Sequence, residues 1–368
     1  VVVGGVLKFT LTEGLARWQL VTKQTFLEGV ALRFGRIAGW LFLPYLLLWS
    51  FFVGSALMGA CGVTLHALIP AFHDADRAKM FYGILSSLAG LGLVLAGGFK
   101  VFEKVMGVCI GIMFVTVVVT AGLLWPGTTE VISGLLLPSI PDSQGVGITW
   151  TVALIGGVGG TLTILCYGYW IREKGRTGTD AIRICRIDLA AGYSMTILFG
   201  LAMVIIGSTI KIEGGGAGLL ITLADTLEKP LGITVRWLFL IGAFSAMFSS
   251  LLGVWQAVPY LFADSWGLFV KRTDRQSSGN ITESAPYRIY LFAIAFLPML
   301  GLFMSFKEVQ KLYAVIGALF MPLLALALLI LNGRRRWVGN FANRPLTVAV
   351  LLATLVFFAT MAWMKWVG

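Results

Sequence analysis

The chain is short of charge. Only 12% of its 368 residues are Asp, Glu, Lys or Arg, about half the share of a soluble domain, while 58% are hydrophobic. Two or three soluble domains of this total length would need a charged surface that the chain does not have. Histidine is scarcer still: His66 and His73 fall together at one end of an apolar segment and in the loop after it, where they read as surface residues. No Ser/His/Asp set, phosphate loop, cofactor motif or metal-hydrolase motif is present, so the expectation is that the chain is not an enzyme and holds no resident cofactor. The four cysteines (Cys61, Cys109, Cys166 and Cys185) lie in or at the ends of apolar runs without Cys-x-x-Cys spacing. They read as small core residues.

What the chain does have is length of apolar sequence, with 45 Gly, 25 Phe and 12 Trp. Membrane helices and their interfacial belts carry this enrichment. A run of about 20 apolar residues crosses a bilayer. Ten such segments are present, at 1–16, 37–67, 80–99, 102–125, 148–171, 187–210, 233–262, 288–305, 308–331 and 346–366. Gly, Pro and polar clusters separate them, as at Pro138 to Gly147 and Gln276 to Pro286. The fold class is therefore an all-α polytopic membrane protein. Pro44, Pro259, Pro298 and Pro322 are expected to kink helices, and Trp40, Trp125, Trp150, Trp170, Trp237, Trp266, Trp363 and Trp366 to anchor span ends.

Net charge is +11, which in a soluble chain would suggest nucleic acid. Here 19 of the 28 Lys and Arg fall in loops on one side of the spans and 8 on the other, with Lys8 inside the first segment. The 19-residue side is cytoplasmic by the positive-inside rule, so the basic excess reflects topology and gives no support to a nucleic-acid partner. The run Arg334-Arg335-Arg336-Trp337 is part of that anchor, facing the lipid bilayer. Nothing in the sequence calls for an obligate protein partner. Val1 comes out on the external side in the middle of an apolar run, and the expectation is that one further span precedes it.

Ionisable residues within spans are costly and mark functional candidates. Lys8 and Glu13 are the clear ones. They read either as an interior pair, with Glu13 also at helical spacing from Arg17, or as groups on a substrate path. The segment at 148–171 is more informative. It carries Gly156-Gly157-Val158-Gly159-Gly160-Thr161-Leu162-Thr163 near mid-membrane. Each Gly costs a helix roughly 1 kcal/mol relative to Ala. Such a stretch is either a GxxxG-type packing surface, with Gly156 and Gly160 at that spacing, or a discontinuous helix whose carbonyls and half-helix ends face an ion. If it is a site, its ligands are oxygens: the carbonyls of Gly157 to Gly160 and the hydroxyls of Thr161 and Thr163. Those suit a hard cation. A divalent ion also needs anionic charge, which this segment does not contain. Ser245, Ser249, Ser250 and Gln256, on the segment at 233–262, read as interhelical glue.

Several stretches together resemble the NRAMP family of divalent metal transporters. Thr25-Phe26-Leu27-Glu28-Gly29 resembles its cytoplasmic Thr-x-Leu-x-Glu-type segment, and Ser249-Ser250-Leu251-Leu252-Gly253 resembles its Gln-Ser-Ser-Thr-x-Thr-Gly helix. Pro322, followed by Gly339-Asn340-Phe341-Ala342-Asn343-Arg344, is similar to the segment before its last helix. The resemblance implies a LeuT-like bundle of two inverted five-helix repeats with broken first and sixth helices. On that register 1–368 is one transporter domain, 1–125 is the remainder of the first repeat, 148–331 the second, and 346–366 an extra C-terminal helix. The first helix would precede Val1 and supply the anionic ligand, and 148–171 would be helix six. The family's Met-Pro-His motif falls on Gly160, Thr161 and Leu162, its helix-three acids on Leu48 and Phe51, and its helix-ten Gln near Phe320. Loss of the sulfur argues against soft transition metals, and loss of the His and acids argues against proton coupling. The resulting expectation is a multi-pass protein of the cell (inner) membrane that imports a divalent cation, Mn²⁺ or Mg²⁺, by alternating access. Its metal ligands would be Gly157, Gly160, Thr161 and Thr163. A LeuT-type symporter for an amino acid or similar solute, and a non-transporting sensor, are the alternatives.

Overall fold

A computed structural model describes residues 1–137, 146–157, 160–209, 219–271 and 281–367. The described residues include fourteen α-helices. In chain order these are α1 (Val2–Thr22), α2 (Phe26–Leu68), α3 (Ala75–Leu123), α4 (Thr128–Leu136), α5 (Val146–Gly157), α6 (Tyr167–Glu173) and α7 (Ala181–Thr209). They continue with α8 (Leu219–Leu231), α9 (Ile233–Trp266), α10 (Ala285–Phe296), α11 (Phe306–Ala318), α12 (Phe320–Gly333), α13 (Arg335–Val338) and α14 (Pro345–Val367).

Among the described residues nine stretches are long and apolar enough to cross a membrane, and they coincide with nine of the ten expected segments. The exception is the first. Helix α1 runs to Thr22 rather than ending near residue 16, and Lys8, Glu13 and Arg17 make it less apolar than a lipid-facing span. It lies at the centre of the bundle, buried from Gly4 to Leu20 along most of its length by α5, α6, α7, α12 and α14. Protein rather than lipid solvates its charges, which is why a charged helix is tolerated there.

Helix α3 holds two of the nine stretches, Ala75–Ala96 and Phe99–Leu123. Gly90 packs on Leu251 and Met106 on Gly253, two positions that are neighbours on α9. In a straight helix those two residues of α3 would stand about 24 Å apart, so the two stretches reach the same level of α9 only because α3 bends between them. The main core joins α1, α2, α9, α10 and α12 around Trp18, Trp49, Trp255 and Leu291. A smaller one gathers the ends of α2, α3 and α7 with α8 and α9.

Several residues of the expected basic side are held in ion pairs. Thr25 caps α2 in a reciprocal capping box with Glu28, and Glu28 also pairs with Arg172 of α6 at 3.4 Å. Lys174 reaches Glu103 and Arg176 reaches Asp188, both at 2.9 Å. One local expectation is corrected. His66 is buried at 5% exposure, because α2 continues into the smaller core beyond it. Pro322 lies four residues after Ala318, where α11 ends within the stretch Phe306–Gly333, so the kink expected of it falls at the α11–α12 junction. Trp170, near the end of its span, donates to Gln256 at 2.9 Å.

Candidate functional site

The spanning element Gly147–Glu173 is broken in two. Helix α5 ends at Gly157, whose carbonyl accepts a turn-type bond from the Gly160 N–H at 3.3 Å. Gly160 has φ +87°, a conformation that any side chain would strain, and a Cβ there would stand 2.5 Å from Thr163 Oγ1. The chain resumes as a tight turn, Leu162–Cys166, that leads into α6. Both meanings of the glycine run hold at once. Gly160 opens the helix, while Gly156 serves close packing, since a Cβ there would meet Ala318 of α11 at 2.5 Å.

The expected ligands have distinct surroundings. Gly157 stands in open space, with no neighbour within 4 Å of an added Cβ. Thr163 is half-buried, with its hydroxyl against Gly160. Thr161 is fully enclosed, and its hydroxyl already has partners: Trp49 Nε1 of α2 donates to it at 2.9 Å, and the Tyr313 hydroxyl of α11 hydrogen-bonds it as well. The structure thus brings Gly157, Gly160 and Thr163 around the break, while Thr161 anchors the break to α2 and α11. Val158 and Gly159, whose carbonyls were also expected to serve, lie outside the described residues.

The group that enters the break is Lys8. Its Nζ donates to the Gly156 carbonyl at 2.5 Å and also to the Gly160 carbonyl, and the residue is 1% exposed. The last carbonyls of a helix lack intrahelical partners and carry the negative end of its dipole, so an ammonium is well placed there. The expected pairing of Lys8 with Glu13 does not form. Five residues turn an α-helix by about 140° beyond a full turn, which puts the two on different faces. Glu13 pairs with Arg17 at 3.2 Å, as its spacing predicts, and with Arg186 of α7 at 2.7 Å. Arg17 in turn donates to the Phe341 carbonyl at 2.6 Å and to Asn343 Oδ1 at 2.9 Å.

Among the described residues no group of three His, Cys, Asp or Glu is placed to hold a metal, and no carboxylate pairs with Lys8. A divalent ion about 4 Å from an ammonium is repelled by ~8 kcal/mol at an effective dielectric of 20. An ion at these carbonyls and a charged Lys8 beside it therefore exclude one another unless further negative charge is supplied.

The geometry has counterparts. The sequence model of one family, described as Nramp: Natural resistance-associated macrophage protein-like, matches residues 1–367. The chain belongs to the Nramp family. No curated protein sequence matches it. Among solved structures, two mutants of the Eremococcus coleocola manganese transporter superpose with TM-scores of 0.70 and 0.71 at 15% and 16% identity, each covering 98% of this chain and 77% of the other. MhsT in complex with L-phenylalanine superposes with a TM-score of 0.66 at 14% identity, covering 98% of this chain and 88% of the other. At these identities the likeness shows the fold, and that fold is the LeuT-like bundle. Two Nramp-like segments meet the central helix: Thr25–Gly29 folds as the α2 cap, with Gly29 against the Trp18 ring, and Phe341 and Asn343 clasp Arg17. Sequence reasoning left Lys8 open between an interior pair and a substrate path and did not join it to the break. The signal was there, a single cation in an apolar run with a glycine-rich break elsewhere in the chain, but nothing local joins the two.

Proposed function

We propose that this Nramp protein is a secondary transporter that moves a divalent cation, Mn²⁺ or Mg²⁺, into the cell across the cell (inner) membrane by alternating access. The observation that carries the reading is the break between Gly157 and Thr161 in a spanning element, because unpaired backbone at this depth is retained only where it is enclosed by protein or faces a polar ligand. Gly157 and Gly160 would supply carbonyl oxygens and Thr163 its hydroxyl, with Thr161 holding the segment in place. Family membership and a fold shared with a protein described as a manganese transporter support the same cargo. On this reading 1–125 belongs to the first inverted repeat, 148–331 forms the second, and 346–366 is an added helix. Uptake of Mn²⁺ and Mg²⁺ into proteoliposomes tests it: flux in the wild type that disappears in Gly160→Val is expected, and equal flux in both removes the site.

A second reading rests on Lys8. An ammonium in the break, with no carboxylate beside it among the described residues, suits a solute that brings its own carboxylate, such as an amino acid. Na⁺-driven uptake of such a solute, with no metal flux, would favour it.

A further inference from the structure

Lys8 is the charged group that the transport reading leaves without a part. Its Nζ donates to carbonyls on both sides of the interruption, Gly156 at the end of α5 and Gly160 beyond it. The residues packed along its stem are otherwise uncharged, Leu7, Leu11, Ile155 and Met321 among them. Arg17, nine residues further along the same helix, has a carboxylate. Lys8 has none among the described residues, so carbonyl oxygens stand in for the water shell of its ammonium. A carbonyl cradle performs that same service for a bound metal ion.

We propose that Lys8 is a built-in cation: its ammonium fills the Gly156 and Gly160 carbonyl cradle when no cargo is bound, and a metal ion reaches the Gly160 oxygen, which both would use, only when the side chain withdraws. Lys8 is then a specificity-determining residue. It competes with the cargo both by occupancy and by charge, so weakly held cations are excluded and the affinity for a divalent ion is set below what the cradle alone would give. The four-carbon stem permits the withdrawal, because Lys is a point charge on a flexible arm rather than a rigid fork. The inference rests on the reading of the break as a cation site and concerns what occupies it.

The alternative is that Lys8 only caps α5. Loss of a cap lowers stability but gives no gain in metal affinity, and this separates the two roles. The test is equilibrium binding of Mn²⁺ to the purified full chain, with free Mn²⁺ followed by its electron paramagnetic resonance signal. Lys8→Met keeps the length and removes the charge, Lys8→Gln keeps a donor without charge, and Lys8→Arg keeps the charge. Lys8→Met is expected to bind at least about tenfold more tightly than wild type, with Lys8→Gln between them and Lys8→Arg no tighter than wild type. Thermal melting of each variant confirms that it is folded, and Lys8→Gln serves if Lys8→Met is not. Folded uncharged variants that bind no tighter than a wild type that itself binds Mn²⁺ overturn this inference and leave the transport reading standing. A silent wild type beside a Lys8→Met that binds upholds the inference and removes Mn²⁺ as the native cargo. Silence in all four overturns the inference and removes Mn²⁺ as the cargo, and Mg²⁺ uptake then decides the transport reading.

Discussion

The ammonium of Lys8 on α1 lies 2.5 Å from the carbonyl oxygen of Gly156 at the end of α5, across 148 residues of sequence. That contact joins a largely buried helix to a spanning element that is broken in its middle, so the order of the break depends on a helix far from it in the chain. On the proposal above, a cargo at the break binds only after displacing this side chain.

Gly160 and Gly157 are expected to respond differently to substitution. Gly160→Val places a side chain at φ +87° and against Thr163 Oγ1, and strain of this kind costs about 1–3 kcal/mol. Both flux and the apparent melting temperature should fall. Gly157→Val meets open space, so its melting temperature should stay close to wild type, and lost flux would then report on the site itself. Paired uptake and thermal-melting measurements on the two variants decide this. Normal flux in both would remove the break from the mechanism.

Trp49 and Thr161 form a buried donor–acceptor pair at 2.9 Å. A double-mutant cycle of Trp49→Phe and Thr161→Val should give a coupling of about 0.5–1.5 kcal/mol, the net value of one such bond. Additive effects would show that Trp49 acts through packing alone.

Arg17 and Arg186 both pair with Glu13 but differ in surroundings. The Arg17 side chain is 5% exposed and ties α1 to the segment before α14, whereas the Arg186 side chain is 46% exposed. Arg17→Met should cost about 3–5 kcal/mol, since it breaks a buried network and leaves its partners unsatisfied. Arg186→Met should cost under about 1 kcal/mol, because water screens an exposed pair. Comparison of unfolding midpoints in one detergent tests the ranking, and equal losses would contradict it.

Thr25 closes the α2 capping box and also donates to Asp264 at 3.3 Å. Thr25→Ala should destabilise by about 1–2 kcal/mol, and Thr25→Ser should recover most of that. Lack of rescue by Ser would place the methyl group, not the hydroxyl, at the centre of the effect.

The sequence by itself determined the membrane-spanning class, the positions of nine spans and the place of the break. Each is a local or additive property: apolar length, and the cost of glycines with no side chains to hold a helix. The Glu13–Arg17 pair was legible for the same reason, because helical spacing alone brings the two together. Only the tertiary structure decided that α1, with its three charges, runs inside the bundle, that Thr161 is held by Trp49 and Tyr313, and that Lys8 turns away from Glu13 to the carbonyls of α5. A buried charge takes whichever partner the packing carries to it, and which helix end arrives opposite Lys8 is settled by contacts spread over the whole bundle.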